Sequence, residues 1–129
     1  MILDTSFLID VLRGKPAVEE WERKLADEEV GITTTISVME LWEGTLLARA
    51  SQEERNRVNG LLSDLRVIEF DAQSARRAAE IEVKLVERGE PIDLEDAMIA
   101  GVASAHDEPV LTGNPSHFER VGGLIVESY

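Results

Sequence analysis

Short β-rich runs alternate with amphipathic segments along the chain, and that alternation constrains the fold more than any other feature. Ile2-Leu3, Val30-Gly31-Ile32-Thr33-Thr34, Val67-Ile68-Glu69-Phe70, Pro109-Val110-Leu111-Thr112 and Leu124-Ile125-Val126 read as strands. The segments between them carry apolar residues at helical spacing. Phe7, Leu8, Val11 and Leu12 form one such face, which Gly14 and Pro16 end. A second helix is expected from about Ala17 to Ala26, with Val18, Trp21 and Leu25 inward. Ser37 opens a third, bearing Val38, Leu41, Trp42, Thr45 and Leu46. A fourth runs from Glu53 to Leu65, and Asp71 caps a fifth from Ala72 to about Arg88. Asp93 opens an alanine-rich sixth, and a short piece from Ser116 to Glu119 follows the turn Gly113-Asn114-Pro115. Strands alternating with helices predict an α/β fold with a parallel sheet flanked by helices on both faces. The ligand site of such a sheet lies beyond the carboxyl ends of its strands.

Composition removes several kinds of chemistry. At 129 residues the chain is expected to form one domain, 1–129, with a core large enough to need no staple. The absence of cysteine excludes disulfides, zinc–thiolate sites and thiol nucleophiles, and two histidines, His106 and His117, do not make a histidine cage. Met1 leads straight into the first strand with no signal-like segment, and no apolar run approaches membrane-spanning length. A soluble cytoplasmic protein with no membrane partner is therefore expected. A net charge of −13 repels nucleic acid at long range. It suits either a salt-rich cytoplasm or a basic protein partner.

Four polar positions sit at strand ends or near helix starts: Asp4, Glu40, Asp96 and Asn114. Ser37-x-x-Glu40 and Asp93-x-x-Asp96 have capping-box spacing, and Asp4 alone fits an N-cap, so helix capping accounts for each acid taken singly. Taken together they suggest more. Helix N-termini that follow parallel strands gather at one edge, where three carboxylates and an amide would converge. Like charges there raise one another's pKa and need a counter-ion. Oxygen donors of this kind suit Mg²⁺ or Mn²⁺, and an acidic metal site suits phosphoryl chemistry. No P-loop, GxGxxG loop or serine–histidine triad competes with this reading.

The segments "ILDTSFLID", "ISVMELWEG", "PIDLEDAMIAGVA" and "VLTGNPSHF" resemble, in order, those of PIN-domain ribonucleases of the VapC toxin type, and together they span nearly the whole chain. The resemblance implies a PIN-like fold and a metal-dependent endoribonuclease. It implies that Asp4, Glu40 and Asp96 are the metal-binding acids, and that Asn114 stands where the family often has aspartate. It implies an RNA substrate, a cognate antitoxin with a basic inhibitory segment, and a homodimer. A PIN nuclease of RNA processing, or a non-catalytic α/β protein-binding module whose acids are caps, remains an alternative. A phosphatase of the haloacid-dehalogenase type would need aspartate two residues after Asp4, where this chain has Ser6.

The remaining polar residues divide by position. Asp93 shares the face of Asp96, Ser6 could orient Asp4, and Thr112 ends a strand facing the site. Asp10, Glu43 and Glu95 read as solvated charges, His117 as a surface-helix residue, and Arg13 as a surface arginine near the site. Trp21 and Trp42 read as packing residues, and Gly101 as a close helix contact.

Overall fold

The computed structural model describes residues 1–28 and 31–129. Val30, at the head of the second expected strand, lies outside them. Five parallel strands form one sheet: β1 (Ile2–Leu3), β2 (Ile32–Thr34), β3 (Arg66–Ile68), β4 (Val110–Thr112) and β5 (Val126–Ser128). Their order is β3-β2-β1-β4-β5, with Ile2 paired to both Ile32 and Val110. The chain winds outward from β1 to β3, then returns to the other side of β1 for β4 and β5. The order therefore reverses between β1 and β4, and a crevice opens at that point beyond the strand ends.

Adjacent strand residues face opposite ways and feed two cores. Ile2, Ile32, Ile68 and Val110 pack with Leu85, Ile99, Val102 and Phe118. These come from α5 (Ala72–Glu87), α6 (Leu94–His106) and α7 (Pro115–Phe118). Leu3 and Leu111 turn the other way, onto Phe7, Leu8, Val18, Leu41 and Val58. Those belong to α1 (Thr5–Leu12), a 3₁₀ turn (Pro16–Val18), α3 (Thr35–Leu47) and α4 (Gln52–Ser63). Helix α2 (Glu19–Glu28) adds the half-buried Trp21 and Leu25 to the same cluster. Gly101 permits the α5–α6 contact. A Cβ there would stand 2.6 Å from Ser74 O and 2.8 Å from Ala78 N.

Two expectations need correction. The helix at Ser37 begins earlier, at Thr35, with Thr34 as N-cap: Thr34 Oγ1 accepts from Ser37 N at 3.2 Å. Thr34 belongs to a strand and a cap at once, because an N-cap keeps extended dihedrals. Ser37 is thus inside the first turn and Glu40 lies in the second, so no capping box exists there. The last strand is Val126–Ser128 rather than Leu124–Val126. Val126 pairs with Val110, while Leu124 N bonds Val121 O in the preceding turn. Leu124 reaches the core from that turn, which gave the run its strand-like hydrophobicity.

Candidate metal centre

Asp4 follows β1 directly and is 4% exposed. Its backbone occupies the N-cap of α1, yet its side chain makes no capping bond. The carboxylate instead turns across the crevice. Ser6 Oγ donates to Asp4 Oδ2 at 2.8 Å, and Thr112 Oγ1 donates to the same oxygen at 2.7 Å. Backbone amides fix both hydroxyls: Gly113 N donates to Ser6 Oγ at 3.0 Å, and Asn114 N donates to Thr112 Oγ1 at 3.0 Å. Among the described residues no donor reaches Oδ1. One oxygen is therefore anchored to β4, and the other is left for the crevice.

Glu40 projects from the second turn of α3. Thr5 Oγ1 lies 2.8 Å from both Glu40 Oε1 and Ser37 Oγ. Thr5 has one hydroxyl proton, and a carboxylate can only accept, so the proton serves Glu40 and Ser37 completes the chain. Burial pushes the Glu40 carboxyl above its ordinary value; the Thr5 hydrogen bond opposes this, and the negative charges of Asp4, Asp96 and Glu95 add to it. Asp4 and Asp96 are thus near enough for their charges to act on Glu40.

Asp96 is the third residue of α6, where the helix N-terminus favours its charge. Asp93, the N-cap, makes no side-chain capping bond. The side-chain capping bond expected of an N-cap acid is thus absent at Asp93 and at Asp4. Asp93, Asp96 and His117 instead bring one ligand-type atom each to within 4.8 Å of one another. His117 Nδ1 lies 2.6 Å from Asp96 Oδ2. His117 is not the surface-helix residue its sequence context suggests: α7 turns it toward Asp96, and it is half-buried. The Asp96 carboxyl is also raised by burial first, with the His117 hydrogen bond opposing and the Asp4 charge adding.

Asn114 stands at the mouth of the crevice, exposed, with its amide oxygen accepting from Ser116 Oγ at 3.2 Å. It reaches the acids through its backbone amide, by way of Thr112. Asp10 is not the solvated charge its sequence context suggests. Tyr129 donates to Asp10 Oδ2 at 2.7 Å, and Lys15 Nζ lies 3.1 Å from Oδ1. The Tyr129 ring meets Phe7 edge-on at 5.2 Å between centroids. Its hydroxyl rests on Gly113, where a Cβ would come within 2.5 Å of it. Tyr129 thereby locks the turn whose amides hold Ser6 and Thr112. Nothing local in the sequence signals this contact, which spans 119 positions. Arg13 lines a groove beside Glu40 together with Leu12, Leu41 and Arg57.

Partly desolvated carboxylates, raised at Glu40 and Asp96, fit a hard divalent cation as oxygen donors, with the His117 imidazole hydrogen-bonded to one of them. The fold and this donor set define a class: parallel α/β proteins with an acidic, cation-type centre where the strand order reverses. Comparison with known proteins narrows it. The PIN domain profile matches residues 1–124. The chain is 30% identical over 128 residues to the tRNA(fMet)-specific endonuclease VapC of Shigella flexneri, covering 99% of this chain and 96% of that one. It is 28% identical over 128 residues to ribonuclease VapC5 of Mycobacterium tuberculosis, covering 98% and 91%. The crystal structure of DNA-bound VapBC from Salmonella typhimurium superposes with a TM-score of 0.88 at 31% identity, covering 98% of this chain and 96% of that one. The chain belongs to the PIN-domain family and, within it, to the VapC type. No helix among the described residues is long and apolar enough to cross a membrane.

Proposed function

We propose that this protein is a metal-dependent endoribonuclease, the toxin of a VapBC-type pair, using Mg²⁺ or Mn²⁺. The observation that supports the reading is the charge coupling among Asp4, Glu40 and Asp96, each at least partly buried and hydrogen-bonded on one oxygen by a neighbouring side chain. Asp4 and Asp96 are the principal ligands, and Glu40 ligates directly or through water. Asn114 completes the mouth of the site. The chemistry such an ion supplies is charge neutralisation at the phosphodiester and activation of a water for in-line attack.

The chain's own residues do the positioning. Ser6 and Thr112 fix one oxygen of Asp4, so the rotamer is set before any ligand arrives. Thr5 holds Glu40 so that its second oxygen can orient the attacking water. His117 holds Asp96 through Oδ2. The buried Thr5 and Thr112 keep bulk water from competing with these bonds.

A cognate antitoxin with a basic segment is the proposed inhibitor, since an arginine can bind these carboxylates in two-pronged fashion in the cation's place. A homodimer is proposed on the apolar stripe of α3, where Met39, Leu46 and Leu47 are 50%, 64% and 79% exposed. The names of the relatives make tRNA the first RNA to assay. Purified protein should cleave RNA with Mn²⁺ or Mg²⁺ and stop in excess chelator. Equal cleavage in the chelator overturns the metal mechanism. A neighbouring gene product that neither binds nor inhibits overturns the toxin role while leaving the nuclease intact.

A further inference from the structure

A second surface stands apart from the acids. Four of the chain's 13 Lys and Arg residues, Arg77, Lys84, Arg88 and Arg120, line one groove with a volume of about 240 Å³ and a single acid, Glu80. On a protein of net charge −13 this is a concentrated cationic site. Lys84 and Arg88, the C-cap of α5, follow Arg77 by 7 and 11 residues, hence on one stripe of the helix. The stripe is about 16 Å long at 1.5 Å per residue. Ile81, Leu85 and Val121 form its apolar floor. Among the described residues, Arg77, Lys84 and Arg120 have no carboxylate at ion-pair distance, and Arg88 has only Glu90 at 4.0 Å.

The groove is joined to the acidic centre. Arg120 lies three residues past His117, whose ring bonds Asp96. Arg120 Nη1 donates to Pro91 O at 2.9 Å, and Arg88 Nη2 donates to Arg120 O at 2.7 Å. Those bonds tie the groove's end to the loop that leads into Asp93 and α6. The carbonyl partners fix the guanidinium groups without neutralising their charge.

We infer that the groove formed by Arg77, Lys84, Arg88 and Arg120 carries the phosphate backbone of single-stranded RNA that flanks the scissile bond in the acidic crevice. The inference rests on the ribonuclease reading. An anionic chain repels a polyanionic substrate at long range, a cationic strip offsets that repulsion locally, and phosphate contacts set the register of a strand without reading its bases. An acidic peptide would find the same charges, but Arg120, three residues past the Asp96 partner His117 and bonded to Pro91 O in the loop before Asp93, sets the groove's end beside the acidic segment, which favours the strand being cut.

The test is the double variant Arg77→Gln/Lys84→Gln, both at exposed positions of α5. Binding of a single-stranded RNA oligonucleotide is measured by fluorescence anisotropy in chelator, across a salt series, and cleavage kinetics are measured with Mn²⁺. The groove predicts a KM raised on the order of tenfold with kcat retained, and a salt slope shallower by about 1.4, or 0.7 for each lost contact. Unchanged KM and slope, with melting like the parent protein, overturn it. Unchanged RNA binding with lost binding of the antitoxin also overturns it and gives the groove to an acidic protein segment. If the parent protein cleaves no RNA, the ribonuclease reading fails, while anisotropy in chelator still decides whether the groove holds RNA.

Discussion

His117 Nδ1 lies 2.6 Å from Asp96 Oδ2 and joins α7 to α6 across the crevice. Outer partners of this kind orient a ligating side chain, and losing one typically costs 10–100-fold in metal affinity. His117→Ala should therefore weaken Mn²⁺ binding by about that factor, as read by calorimetry. Affinity equal to the parent's would show that Asp96 is held by its backbone alone.

The raised carboxyls of Glu40 and Asp96 predict a particular pH dependence. In the metal-free protein each holds its proton to higher pH than in the unfolded chain, so the folded state binds more protons between the two values. Their contribution to stability is present below the unfolded value and is lost as pH rises through the raised folded value. Metal affinity moves the other way, rising over the same window as the ligands ionise. Melting of the parent and of Glu40→Gln, without metal, should show the parent losing ground to the variant as pH increases from the ordinary carboxylate range. A parent that gains on the variant would reverse the assigned sign.

Thr112 is fully buried, donates to Asp4 and accepts from the Asn114 amide. Thr112→Val keeps the shape and removes both bonds, leaving a buried carboxylate with one donor and an amide with none. The expected loss is about 1–3 kcal/mol in denaturant unfolding. A change within error would mean that Ser6 alone satisfies Asp4.

Gly101→Ala places a methyl against Ser74 O and the Ala78 backbone, neither of which is a flexible chain end. Overpacking of this kind costs about 1–3 kcal/mol. Alanine is otherwise the better helix residue by about 1 kcal/mol. A variant more stable than the parent would show that α5 and α6 part without cost.

Much of this arrangement is legible in the sequence, and what is not has physical reasons. Alternating β-rich and amphipathic runs give the strands, and Asp71 caps α5 as expected, accepting from Ser74 N at 2.9 Å. The cap of α3 is obscured because Thr33 and Thr34 favour strands and Ser37 is an equally good cap residue. Asp4, Glu40 and Asp96 stand out as acids near helix starts, and the parallel topology brings them near enough for their charges to act on one another. His117 and Tyr129 are hidden for another reason. Each owes its place to tertiary contacts, with Asp96 in one case and with Asp10, Phe7 and Gly113 in the other, and no local period encodes them. The cationic groove is equally silent, because its fourth member, Arg120, comes from a loop.

The central claim is that Asp4, Glu40 and Asp96 hold one divalent cation between them. Calorimetric titration of Mn²⁺ into the parent protein, Glu40→Gln and Asp96→Asn tests it most directly, with melting of the same samples. The account predicts saturable binding to the parent and a stabilisation of about 2.7 kcal/mol at a hundredfold excess over Kd. It predicts that both variants lose most of that binding while remaining, without metal, at least as stable as the parent, because like-charge repulsion is relieved. Variants that bind Mn²⁺ as the parent does, with the same rise in melting temperature, would contradict it.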